Sequence, residues 1–237
     1  MSSPRLTAPS WSRLVRGLGS HRPHWLTGLA IAVLVTLVLA ALLAPLLSAH
    51  DPVTMVPSER LRPPSPDHLL GTDAMGRDLW ARVLWGARIS LVVGAGATLG
   101  AVVIGLPLGL VSGYFRRLDP FVMRVMDGLM AIPGILLAVA LIAIVRPSLT
   151  TVMIAILIPE IPSVVRLVRA RVLSAREEPY VEAARLLGTG GAKMLWRHLL
   201  PNTVAPLVVQ AAHVFAAAIL PALFLMRYIY RKDTVEK

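Results

Sequence analysis

The chain has no cysteine among its 237 residues. That excludes disulfides, thiol nucleophiles and thiolate metal sites, and it leaves the redox compartment unreadable. Aromatic residues are scarce, at 5%, with no aromatic platforms between the basic residues on which bases could stack. A formal charge of +11 therefore does not point to nucleic acid. Acids are few, 13 against 24 Lys and Arg. In a chain that is 56% hydrophobic with several long apolar runs, this imbalance has a simpler source, because Lys and Arg gather in the cytoplasmic loops of membrane proteins. The composition is that of an integral membrane protein and not of a soluble globule. A phosphate loop is missing too. Gly188-Thr-Gly-Gly-Ala-Lys193 does not meet the Gly-x4-Gly-Lys-Ser/Thr spacing, Met194 follows the lysine, and no strand is predicted before it. No ATP site is expected in this chain.

What is present is a series of five hydrophobic spans, about 26–47, 89–111, 127–145, 149–165 and 203–226. Pro159, Glu160 and Pro162 interrupt the fourth. The N-terminal stretch to Pro23 carries Arg5, Arg13, Arg16 and Arg22 with no acid, so it resembles a transit peptide or the basic part of a signal peptide. The run that follows, Leu26 to Leu47, would be about 33 Å long as a helix. A cleavable signal core is usually about 7–15 residues, so this run is read as an anchor. With the N-terminus inside, the cytoplasmic segments hold Arg116, Arg117 and Arg124, and then Arg166, Arg169, Arg171, Arg176, Arg185, Lys193 and Arg197. The outer loops offset their cations with Asp51, Glu59, Asp67, Asp73 and Asp78. The positive-inside rule fits this orientation. It does not fit Arg227, Arg231, Lys232 and Lys237, which five spans would place outside.

The stretch Tyr180-Val-Glu-Ala-Ala-Arg-Leu-Leu-Gly188 lies between two spans and is polar enough for water. Read as a helix, it sets Tyr180, Ala183, Ala184 and Leu187 in one apolar stripe. Pro179 suits its first turn and Gly188 the position just past its end. A short helix with small alanines on one face, projecting from a membrane protein, suits the transfer of a conformational signal to a cytoplasmic partner.

Glu182-Ala183-Ala184, Gly188 and the later Leu200-Pro201 resemble the EAA loop of bacterial ABC importer permeases. His198 departs from the aliphatic residue of that pattern. The outer-loop run Gly71-Thr72-Asp73-x-x-Gly76-Arg77-Asp78, followed by Gly86-Ala-Arg-Ile-Ser-Leu91, resembles one subgroup, the second (C-type) permease of dipeptide, oligopeptide and nickel importers. The resemblance covers about residues 60 to 220. It implies an all-α integral membrane protein of the type I importer fold, in a bacterial inner membrane, with about five spans instead of six. The implied layout is a basic cytoplasmic tail (1–25), a first anchor (26–47), a periplasmic loop (48–88), a permease core (89–226) containing a cytoplasmic coupling loop (166–202), and an atypical tail (227–237).

The implied partners are ABC ATPase subunits, a second homologous permease, and a periplasmic or lipid-anchored substrate-binding protein. ATP would be held by the ATPase subunits, and this chain would carry no cofactor and no catalytic residue. The resemblance assigns ATPase contact to Tyr180, Glu182, Ala183, Ala184 and Gly188. Leu200 and Pro201 would set the angle between loop and fifth span.

Within the outer loop, Gly71 and Gly76 permit tight turns, and Asp73 and Asp78 flank Arg77 in what should be a compact polar knot. No metal site is expected, since no histidine or third carboxylate is fixed beside the two aspartates. Gly96, Gly100, Gly105, Gly109 and Gly113 line faces that a neighbouring helix can approach closely, and Pro107 is expected to bend their helix. Glu160 is costly at membrane depth, so it should lie near the cytoplasmic end or line the translocation path. Asp127 is expected to pair with Arg124, three residues away on one helix face.

After Ala216-Ala-Ala-Ile-Leu220 the chain departs from the family pattern, which is the expectation of a truncated or frame-shifted permease. Two other functions are compatible with the residues: a small secondary transporter using Glu160, and a non-transporting assembly partner.

Overall fold

In the computed structural model, residues 24–145 and 148–235 are described, with the side chains of His24 and of 221–235 excepted. The basic N-terminal tail, and the side chains of the 227–237 tail, lie outside the described residues. The chain forms two compact units, residues 1–84 and 85–237.

In the first unit, α1 (His24–Leu42) and the single turn α2 (Ala44–Leu47) correspond to the expected first anchor. Leu29, Ile31, Leu34 and Leu37 are all more than half exposed. A helix apolar on every side needs hydrocarbon around it, not water. A loop with one 3-10 turn, Pro57–Glu59, leads to the first residues of α3 (Leu79–Tyr114).

The second unit is organised by α3 and α6 (Leu149–Ala175). The glycines of α3 from Gly96 to Gly113 serve one purpose, close approach to α6. A Cβ at Gly96 would strike Met153, one at Gly100 would strike Leu157, and those at Gly105, Gly109 and Gly113 would come within 2.6–2.8 Å of the Val164, Val168 and Val172 side chains. The three valines recur every four residues and are fully buried. Burial of each such side chain contributes about 1.5–3 kcal/mol. Residue numbers rise together along both helices, so α3 and α6 are parallel.

That geometry decides how the third span is built. Two parallel membrane helices require the chain between them to cross back. The expected straight span over 127–145 is instead a broken one: α4 (Asp119–Ala131) and α5 (Gly134–Ile144) meet at 84°. Pro133 causes the break, since it lacks an N–H and forces Ile132 into an extended conformation (φ −97°, ψ 125°). Alone, α5 has 11 residues and reaches about 16 Å, too short for a hydrocarbon core of about 30 Å. Among the described residues four helices are long and apolar enough to cross, and the bent pair, taken as one broken span that returns the chain, brings the number to five.

The fourth span also differs from expectation. The helix runs unbroken through Pro159 and Pro162 to Ala175, and Pro162 is fully buried. Its last turns carry Arg166, Arg169 and Arg171 beyond the apolar stretch. Arg169 holds both carboxylate oxygens of Asp119, the second at 2.7 Å, and Arg166 reaches Asp127 at 2.6 Å. Asp127 thus pairs across helices with Arg166 and not with Arg124. A side chain on a neighbouring helix was closer than the i−3 residue of its own.

After α6 come α7 (Pro179–Leu186), the single turn α8 (Gly191–Met194), a π turn (Leu195–Leu199) and α9 (Leu200–Val235). Gly191 lies near Tyr114 at the end of α3, and Phe215 lies near Gly94 toward its start. So α9 runs antiparallel to α3, and the segments around 114–119 and 176–191 share one side of the bundle. The backbone of α9 stays helical through Val235, past the 226 limit expected for the fifth span.

Candidate functional site

The loop between α6 and α9 is tied down at several points. Arg176 Nη1 donates to the carbonyls of Gly113 (2.9 Å) and Tyr114 (3.3 Å), satisfying the open end of α3. Burial lowers the affinity of that guanidinium for its proton, and the charges of Arg185 and Arg116 act in the same direction. The Arg185 guanidinium lies 5.6 Å from the centre of the Tyr114 ring. Helix α7 starts on Pro179, whose missing N–H costs nothing there. It stops in a Schellman turn: Gly188 N–H donates to Arg185 O (2.9 Å) and Thr189 N–H to Ala184 O (3.1 Å). Gly188 has φ +76° with open space beside it, so backbone conformation and not crowding requires glycine there.

The inward face of α7 is Val181 and Ala184, which join Val168, Val172, Met194 and Leu199 in one hydrophobic cluster. The stripe expected from periodicity therefore divides. Ala184 is inside the chain's own core, whereas Glu182 and Ala183 are exposed. Tyr180 is partly exposed, with its hydroxyl accepting from Asn202 Nδ2. Leu186 and Leu187 are 85% and 86% exposed, and Trp196 67%. Leu186 and Trp196 were absent from the sequence expectation. Their signal was present, as large apolar residues in a water-side loop lying off the inward face.

Leu200 packs against the core, and Pro201 is exposed in the first turn of α9. Immediately before it the helix widens, with Leu200 N–H donating to Leu195 O, five residues back. Pro201 cannot donate to Arg197 O, and the wide turn accommodates that missing bond.

The loop of the first unit has the opposite character. Gly71 and Gly76 both have φ +74°. Asp73 Oδ1 accepts from the N–H groups of Met75 (2.8 Å) and Arg77 (3.0 Å), while Oδ2 meets Arg77 Nε at 2.9 Å and also Arg82. Burial pushes the Asp73 carboxyl up, but these backbone and side-chain donors together hold it below its ordinary value. Thr72, pairing with Asp78 in an isolated bridge, donates to Glu59 O and accepts from Arg62 N–H at 2.9 Å. Asp78 Oδ2 accepts from Ala81 N–H (2.8 Å) and caps α3. One premise of the sequence reading fails here, because a histidine is fixed beside Asp78. His68 Nδ1 lies 3.1 Å from Asp78 Oδ1, and Nε2 lies 3.3 Å from Glu59 Oε2. Ten residues separate His68 from Asp78, so only the folded loop brings them together.

Glu160 stands midway along α6, between the levels of Gly100 and Gly105. It lines a cavity of about 200 Å³ with Gly134, Ala138, Ile156, Pro159 and Ala217, where α5, α6 and α9 meet. His213 of α9 is close enough to interact with it electrostatically.

A parallel and antiparallel helix bundle crossing the bilayer several times, with a short helix held at one face and a carboxylate beside an internal cavity, defines a polytopic membrane component of the transport type. The chain belongs to the family described as binding-protein-dependent transport system inner membrane component, which matches residues 105–227. Among similar curated proteins, a probable peptide ABC transporter permease of Sinorhizobium fredii is 47% identical, over 92% of this chain and 72% of its own length. The dipeptide transport system permease protein DppC of Alkalihalophilus pseudofirmus is 43% identical, over 81% of this chain and 64% of its own. A di/tripeptide transport system permease of Pseudomonas aeruginosa is 40% identical over 93% and 75%. The chain thus spans about two thirds of the length of the relatives it matches.

Proposed function

We propose that this chain is a transmembrane permease subunit of an ATP-driven importer of peptides. It would work with a second permease, two ATPase subunits that bind the ATP, and a substrate-binding protein. The names of the relatives favour peptides over nickel. The observation that carries the coupling role is α7: a helix anchored by Val181 and Ala184 and capped by Gly188, with Leu186 and Leu187 left in water. Exposed leucines on a rigidly held helix cost free energy unless a partner covers them.

The side bearing Arg116, Arg117, Arg171, Arg176 and Arg185 is the cytoplasmic one by its charge. Movement of the ATPase subunits would displace α7, and the shared core of Val181, Ala184, Val168 and Val172 would pass that displacement to α6. With its glycines filled by α6 side chains, α3 would move with α6 as one body. Bending would concentrate at the Ile132–Pro133 break and at the π turn before Pro201. Glu160 would then line the path, a carboxylate exposed to the cavity as the bundle opens. Glu182, Ala183 and Tyr180, with Leu187, form the contact surface in this account, while Leu200 and Pro201 fix the exit of the loop into α9.

The test is co-purification after co-expression with the ATPase and second permease of the same transport system. Wild type should recover the ATPase. Leu187→Asp should lose it while still recovering the second permease. Equal ATPase recovery by both forms would refute α7 as the contact.

A further inference from the structure

The loop of the first unit brings three potential ligands together: one ligand atom from each of His50, His68 and Asp78 lies within 4.8 Å of the other two. We propose that these residues bind a borderline divalent cation of the Zn²⁺ or Ni²⁺ type, clipping the end of the first span to the head of α3.

The donor set argues for that class. Two imidazole nitrogens and one carboxylate oxygen, with no thiolate in the chain, suit first-row divalent ions of intermediate hardness. His68 Nδ1 and Asp78 Oδ1 are 3.1 Å apart, close to the spacing of two ligands sharing a tetrahedral ion at about 2.0 Å from each. Both groups are held in place. Asp78 keeps Oδ2 on the Ala81 N–H and turns Oδ1 toward His68. His68 presents its far nitrogen to Glu59 Oε2, the carboxylate–histidine support commonly found behind a metal ligand. Arg62 pairs with the other Glu59 oxygen at 3.0 Å.

A carboxylate faces each nitrogen of His68, so a divalent cation can take the place of a proton on the Asp78 side while Nε2–H stays with Glu59. His50 supplies the third ligand. Its ring is exposed and lies 4.9 Å from that of His68, tilted by 35°, so a swing of a solvent-facing side chain closes the site. Water would complete a four-coordinate site as the fourth ligand.

The experiment uses the full chain, purified in detergent without a histidine tag and stripped with chelator. Zn²⁺ is titrated against a chromophoric competitor, and Co²⁺ is followed by its visible absorption. Wild type should bind one ion with micromolar or tighter affinity and give the intense spectrum of a four-coordinate cobalt site. His50→Ala, a change at an exposed residue, should weaken binding by about tenfold or more, as should Glu59→Gln by a smaller factor, in line with the loss of support behind a ligand. Absence of micromolar binding would overturn the proposal. So would equal binding by wild type and His50→Ala, which would assign the ion to the histidines elsewhere in the chain.

Discussion

The loop before α3 and the loop between α6 and α9 are both water-side segments, yet they spend their side chains in opposite ways. In the first, Asp73, Thr72, Asp78, His68 and Arg77 turn inward and satisfy one another and the backbone. In the second, Val181 and Ala184 anchor α7 in the core, Arg176 on α3 and Asn202 on Tyr180 add polar ties, and Leu186, Leu187 and Trp196 face out. The difference is one of degree: the first loop is closed on its own hydrogen bonds and leaves Leu61 and Leu69 at 71% and 58% exposure, whereas the second leaves Leu186 and Leu187 at 85% and 86%.

Two glycines with almost the same φ sharpen this contrast. A Cβ at Gly76 would lie 1.9 Å from Val56 O, whereas one at Gly188 meets nothing within 4 Å. Gly76→Ala combines a left-handed penalty with overpacking against backbone, for a cost of about 2–5 kcal/mol. Hydrogen exchange should show amides 61–79 losing protection in that variant. Next in size is the tie between α4 and α6. Arg169→Met should destabilise by about 1.5–3 kcal/mol, the range for a charged hydrogen bond. Because Asp119 is then left without its partner, Arg169→Met with Asp119→Leu should recover part of the loss in a thermal melt.

Gly188→Ala carries the conformational penalty alone, about 1–2 kcal/mol. It should fray the last turn of α7 and leave the bundle's melting temperature nearly unchanged. The smallest effect is one of pH. Asp73 titrates below its ordinary value of 3.8 in the folded loop, so its ionised form stabilises the loop at neutral pH. That contribution is present above the unfolded value and is lost as pH falls through the lower folded one. Loop protection should therefore drop below about pH 4, and Asp73→Asn should flatten the drop.

Much of the bundle was legible because periodicity and special residues carry it. The glycine rail of α3 announced a close neighbour, Pro179 and Gly188 bracketed α7 to within two residues, and the two turn glycines of the outer loop took the φ that glycine permits. What was illegible depends on contacts between distant residues. Pro133 could not be told from a proline inside a tolerated span, because the break follows from the parallel α3–α6 pair that it must connect. Pro159 and Pro162 looked like interruptions, but packing against neighbouring helices keeps α6 whole. The split of the α7 stripe was hidden for the same reason: a period of 3.6 marks an apolar face but does not say whether core or partner covers it. His68 beside Asp78 had no local signal at all.

The absence of native cysteine makes the central claim directly testable. Single cysteines at Leu187 and at Val181, in an otherwise thiol-free chain, would be treated with a short thiol-to-amine cross-linker in membranes that contain the co-expressed ATPase. Leu187→Cys should cross-link to the ATPase and Val181→Cys, buried against the chain's own core, should not. Cross-linking at neither position, or equally at both, would contradict an α7 that faces the ATPase with its exposed leucines.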